Sequence, residues 1–110
     1  MVKIYGNTII TNKDGLAELV EFLQYDGEIV NDKADGKGKD FYINGVIAYE
    51  GNYKKGVACG FGKLYDESGK LRYSGEWKNS KRNGEGIEYN EDGTIYYQGL
   101  FKNDKPYTKK

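Results

Sequence analysis

Four tyrosines at one constant interval set the strongest limit on what this chain can become. The triplet Tyr-x-Gly occurs at Tyr25-Asp26-Gly27, Tyr49-Glu50-Gly51, Tyr73-Ser74-Gly75 and Tyr97-Gln98-Gly99, so each interval is 24 residues. A Gly-x-Gly follows the first three at fixed offset, at Gly36 and Gly38, Gly60 and Gly62, and Gly84 and Gly86. A further glycine closes each unit at Gly45, Gly69 and Gly93. Columns held in register like this mark an array of small structural units, packed each against the next. With 110 residues there is room for one such domain.

Within a unit the apolar period is two, so the elements are strands. Leu71, Tyr73, Gly75 and Trp77 alternate with Arg72, Ser74 and Glu76, and the same pattern runs through Ile47–Tyr53 and Ile95–Phe101. A return strand carries another aromatic column, Phe41, Tyr65 and Tyr89. The turns Glu67-Ser68-Gly69 and Glu91-Asp92-Gly93 place glycine where a bulged hairpin needs positive φ. The expected fold is mainly β: a single-layer, twisted antiparallel sheet of stacked 24-residue hairpins. Glycine inside a strand is unfavourable unless another group must approach the backbone. Gly51, Gly75 and Gly99 therefore predict aromatic rings lying over bare backbone. Only 37% of the residues are hydrophobic and 11 of the 110 are tyrosine, a composition better suited to an aromatic-paved sheet than to an aliphatic sandwich.

These residues resemble the MORN family, whose pattern is roughly Tyr-x-Gly-x-aromatic, a short polar loop and then Gly-x-Gly. Here it reads Tyr49-Glu50-Gly51-Asn52-Tyr53 with Gly60-Phe61-Gly62, and Tyr73-Ser74-Gly75-Glu76-Trp77 with Gly84-Glu85-Gly86. The resemblance covers residues 25 to about 103. It implies units at 25–48, 49–72 and 73–96, and a partial unit at 97–110. The first unit departs, with Ile29 at the aromatic position and Val30-Asn31-Asp32 for a more basic loop, and the last stops short of its Gly-x-Gly. Both departures read as terminal capping.

Residues 1–24 stand outside the repeat and are expected to cap it. Lys3-Ile4-Tyr5 and Thr8-Ile9-Ile10 flank Gly6-Asn7, which suggests a tight hairpin. Thr11 and Asn12 are N-cap residue types for a helix to about Gln24, with Leu16, Leu19, Val20 and Leu23 on one helical face. Such a helix would cover the first hairpin's edge or serve as a partner-binding element.

Catalytic chemistry finds no foothold. With no histidine, Ser-His-Asp and Cys-His arrangements are excluded, as is every histidine-containing metal site. The single cysteine, Cys59, shares a loop column with Asp35 and Asn83 and reads as a spare thiol. It also excludes an internal disulfide, which fits a reducing compartment. Gly36-Lys37-Gly38-Lys39 lacks the Walker spacing and belongs to the repeat. Asp66-Glu67 and Glu91-Asp92 sit at turns with no apolar pocket to raise a pKa. A non-enzyme with neither cofactor nor metal is expected. Seventeen basic and seventeen acidic residues give a net charge of zero, which argues against nucleic acid as a partner. The start has no secretory apolar run, and no window approaches the ~20 apolar residues of a spanning helix. A soluble, cytoplasmic chain is expected.

Charge placement is more telling than the total. Lys54, Lys78 and Lys102 share one column and Lys33, Lys81 and Lys105 another, with Lys55 and Arg82 beside them. The acidic turn residues fall at the opposite ends of the hairpins, so stacking gives one basic and one acidic margin. Three functions follow. The resemblance implies first a protein-interaction module, and more narrowly a small bacterial or phage inhibitor, antitoxin or anti-defence protein. The second is binding to anionic phospholipid at a membrane surface, which the name membrane occupation and recognition nexus suggests. The third is an enzyme acting through Cys59. The partner-binding candidates are Tyr53, Trp77, Phe101, Tyr65 and Tyr89, then Lys78, Lys81 and Arg82. Against them stands the reading that all five aromatics are structural. The last strand, near Gly99-Leu100-Phe101-Lys102, has no following hairpin. Either Pro106 and the terminal lysines blunt it, or it pairs with a second copy in a homodimer.

Overall fold

Alternating residues become strands here because the turns between them are short enough for each strand to pair with the one before. The computed structural model describes residues 1–108. Its strands are β1 (Val2–Thr11), β2 (Ala17–Val30), β3 (Lys33–Phe41), β4 (Ile47–Lys54), β5 (Val57–Tyr65), β6 (Leu71–Lys78), β7 (Lys81–Tyr89), β8 (Ile95–Lys102) and β9 (Lys105–Pro106). All nine form one antiparallel sheet in chain order, with extents of 55 × 36 × 19 Å.

Two kinds of turn alternate, and each places its hairpin tips on one margin. On the first margin lie two-residue turns, Asn31-Asp32, Lys55-Gly56, Asn79-Ser80 and Asn103-Asp104, all with φ between 50° and 85°. Positive φ at both positions is the type I′ geometry that matches strand twist. On the other margin the turns end in Gly15, Gly45, Gly69 and Gly93, whose φ values lie between 80° and 91°. The Asp66 Oδ1 atom accepts from the N–H groups of Ser68 and Lys70 at 3.0 Å each. Hydroxyl donation by Ser68 and Thr94 holds the Asp66 and Asp92 carboxyls below the usual range.

The core occupies one face, and the Tyr-x-Gly triplet explains it. Each column tyrosine folds back along its own strand over the glycine two residues on. Its hydroxyl then donates to the carbonyl one residue further: Tyr25 to Glu28 at 2.8 Å, Tyr73 to Glu76 at 2.9 Å, Tyr97 to Leu100 at 2.9 Å. A Cβ on Gly86, the cross-strand partner of Gly75, would come within 2.3 Å of the Tyr73 hydroxyl. Both glycines of the pair are thus spaces for one ring. Tyr25, Tyr53, Tyr49, Trp77, Tyr73, Phe101 and Tyr97 then form a continuous ladder with centroids 5.0–5.4 Å apart and interplanar angles of 81–87°. Edge-to-face contacts of this kind add about 0.5–1.5 kcal/mol each beyond area burial.

The N-terminal segment differs from the helix that its sequence suggests. Leu16, Leu19, Val20 and Leu23 do fall at helical spacing, but residues 17–30 are one strand that runs through residues 24 and 25. Asn12 is a turn former, its Oδ1 accepting from Asp14 and Leu16 N–H at 2.9 and 3.0 Å. Apolar groups lie on both faces of this strand, so its alternation is hidden and the helical period shows through. Nor is Gly6-Asn7 a hairpin turn. Both residues lie inside β1, opposite Phe22 and Glu21, and a Cβ on Gly6 would meet the Phe22 ring at 3.2 Å.

The other end also differs. β9 pairs Pro106 with Phe101 and Lys105 with Lys102, and the Tyr107 N–H donates to the Leu100 carbonyl at 2.8 Å. The strand expected to end unpaired is therefore covered over Leu100–Lys102. The terminal lysines, Lys109 and Lys110, lie outside the described residues.

Candidate binding surface

Consecutive hairpins are bolted together along the two-residue turns. The Gly56, Ser80 and Asp104 N–H groups donate to the carbonyls of Ala34, Ala58 and Arg82 in the preceding unit, at 2.8–3.0 Å. Side chains of one column reinforce this, Asp35 accepting from Lys55 N–H at 3.2 Å and Asn83 from Asn103 N–H at 3.4 Å. Cys59 occupies the same column with its thiol free and half-buried.

This hydrogen-bonded margin carries lysines in facing pairs. Lys78 lies directly opposite Lys81, and Lys102 opposite Lys105. Like charges facing each other across a ladder destabilise it. Among the described residues every ion pair uses Arg72 or Arg82, so no carboxylate neutralises these lysines. Lys78 and Lys81 are exposed, as are Lys33, Lys54 and Lys55 along the same edge.

Arg82, placed with them by sequence, is elsewhere. Its guanidinium lies over the Phe101 ring at 5.0 Å and near the Tyr73 ring at 5.6 Å. It pairs with Glu88 at 3.0 Å and Asp104 at 3.5 Å, and donates to the Asp104 carbonyl. Arg82 is thus a packing residue over the Tyr73–Phe101 step of the aromatic ladder.

Tyr53, Trp77 and Phe101 are buried core residues. The Trp77 indole N–H donates to the Gly62 carbonyl at 3.1 Å, and the Tyr53 hydroxyl donates to Asp40. Burial raises the Asp40 pKa, and burial together with the Asp40 carboxylate raises that of Tyr53. Tyr65 and Tyr89 are half-buried. The Tyr65 hydroxyl donates to Glu50 Oε1 at 2.7 Å, and burial plus that carboxylate push its pKa up to about 12. Tyr89 offers its carbonyl to Arg72 Nε at 3.0 Å.

The face away from the ladder was missed by sequence reasoning. Phe61, 52% exposed, and Leu100 stand there beside the backbone of Gly75, Gly86 and Gly99, and with Ile87 line one shallow groove. The only sequence signal was a column that fails to repeat: Lys37, Phe61 and Glu85, each between two glycines.

An open sheet of stacked hairpins, with its rings spent on one face and its lysines gathered on one margin, defines a repeat protein of the binding-module class. The MORN repeat family matches residues 49–70 and 73–95, and the MORN repeat variant matches residues 34–55 and 62–79. The chain belongs to the MORN-repeat family. No curated protein matches it. No helix among the described residues is long and apolar enough to cross a membrane.

Proposed function

We propose that this chain is a non-catalytic protein–protein interaction module acting in the cytoplasm, and that it engages an acidic surface of its partner through the lysine margin. The observation that carries this reading is the facing pair Lys78 and Lys81, exposed and held against their mutual repulsion on a hydrogen-bonded margin. Rim charges of this kind steer encounter and select partners. Phe61 and Leu100 on the open face supply apolar contact beside it. The narrower role of a bacterial or phage inhibitor, antitoxin or anti-defence protein is supported by family resemblance alone.

The same margin suits an anionic phospholipid surface, where each lysine contributes on the order of 1 kcal/mol. One experiment separates the two readings. Tagged protein is used to capture partners from host lysate, and separately is sedimented with phosphatidylserine vesicles, each beside a Lys78→Glu/Lys81→Glu variant of unchanged melting temperature. A stoichiometric protein lost with the variant is the expected result. Vesicle sedimentation lost with the variant, without protein capture, replaces it by the lipid reading. Capture or sedimentation indifferent to the variant overturns the margin as the binding surface.

A further inference from the structure

The two ends of the sheet are finished differently. At the C-terminal end β9, with Lys105 and Pro106, covers Leu100–Lys102, so the outer edge of β8 is bare only over the five residues Ile95–Gly99. At the N-terminal end β1 is ten residues long, and Lys3 is its only charged residue. Among the described residues its outer edge has no neighbour in the sheet, so that row of backbone donors and acceptors lacks a ladder partner.

Behind β1 the support is thin. β3 pairs with β2 only from Tyr25 to Val30, so residues 17–23 of β2 and 5–11 of β1 form a two-stranded arm beyond the main sheet. Two-stranded ribbons are marginal in water. On one face of this arm Tyr5 is opposite Leu23 and Ile9 opposite Leu19. Tyr5, Ile9 and Leu19 are 54%, 69% and 70% exposed.

We propose that β1 pairs antiparallel with β1 of a second copy about a two-fold axis at Asn7, joining two arms into one four-stranded sheet. A two-fold axis normal to a sheet keeps side chains on their own face, so residue i must meet a residue of the same parity. Centring on Asn7 sets Tyr5 against Ile9 of the second copy, and Ile4 against its Ile10. The exposed groups then align into the row Leu23, Tyr5, then Ile9 and Leu19 of the second copy, together with the symmetric row. Cross-strand pairs of aromatic and β-branched residues are stabilising contacts. Lys3 meets Thr11 of the second copy and keeps Asp26 beside it, so no like charges are opposed. Because the contact is isologous it uses the β1 edge of both copies, and so closes at two. This contact is independent of the lysine margin, and the C-terminal edge has no part in it.

The test combines mass and geometry. Light scattering at high concentration is expected to give twice the chain mass, and Ile9→Lys, which alters both rows, to weaken dimerisation at least about tenfold. Opposite residues lie within disulfide reach, so Asn7→Cys in a Cys59→Ser chain cross-links on oxidation, while Gln98→Cys on β8 does not. A monomeric mass, or a dimer that cross-links through Gln98→Cys and not Asn7→Cys, overturns the proposal. Should Ile9→Lys fail to fold, the cysteine pair alone decides.

Discussion

The repeats from Tyr25 onward and the arm that precedes them use one element, the antiparallel hairpin, yet they dispose of their apolar groups in opposite ways. In the repeats Tyr73 is 0% exposed inside a ladder of rings, whereas in the arm Leu19 is 70% exposed. The difference is not one of hydrophobicity, since the arm is the richer in aliphatic residues. A ring lies flat over the bare glycine backbone of its own hairpin and meets a ring of the next unit edge-on, and residues 1–24 contain no Tyr-x-Gly. A thin sheet, it follows, is stabilised by complementarity between units and not by apolar content within one.

The sharpest way to break that comparison is to remove a ring. Tyr73→Ala should cost about 3–5 kcal/mol, while Leu19→Ala, measured in the Ile9→Lys chain, should stay within about 0.5 kcal/mol; urea denaturation reads both. Equal costs at the two sites would erase the distinction between array and arm.

Alkali attacks the same column. Burial pushes the Tyr73 pKa up to about 12 and raises those of Tyr25, Tyr49 and Tyr53. Tyrosines in the unfolded chain ionise from about pH 10. The folded state therefore holds more protons above that pH, and its stability is full below pH 10 and lost as pH climbs through the folded values. Tyrosinate absorbance should rise together with loss of circular dichroism, as one cooperative step. Ionisation of these rings with the sheet intact would show that the ladder is not what holds it.

The smallest effect sharpens the comparison among the units themselves. Asp35 and Asn83 each cap the next turn, and Cys59 in their column does not. Cys59→Asn should restore the bond to Asn79 N–H and raise stability by about 1 kcal/mol, visible in the melting temperature.

How much was legible varies along the chain with how strictly it repeats. The turns at Gly45, Gly69 and Gly93 and the pairing of successive hairpins followed from columns in register. The first hairpin is hidden in the sequence because Tyr25 follows Gly15 by ten residues whereas Tyr49 follows Gly45 by four. Its turn, Asn12-Lys13-Asp14-Gly15, repeats the chemistry of Asn90-Glu91-Asp92-Gly93, but six additional strand residues take it out of register. The candidate site was read less well. Lys78 and Lys81 lie where their columns put them, but Arg82 in the neighbouring column turns inward, because Phe101, Glu88 and Asp104 offer it a ring and two carboxylates.

The sequence by itself determined the repeat length, the strand period, the turn positions and the two charged margins. These are properties of one chain read in order, set by backbone conformation and alternation. Only the tertiary structure decided which aromatics are buried, which cation is free and which edge lies open. Those depend on what the next unit places against each side chain, and in a sheet one layer thick a residue is interior on one face and solvent-facing on the other.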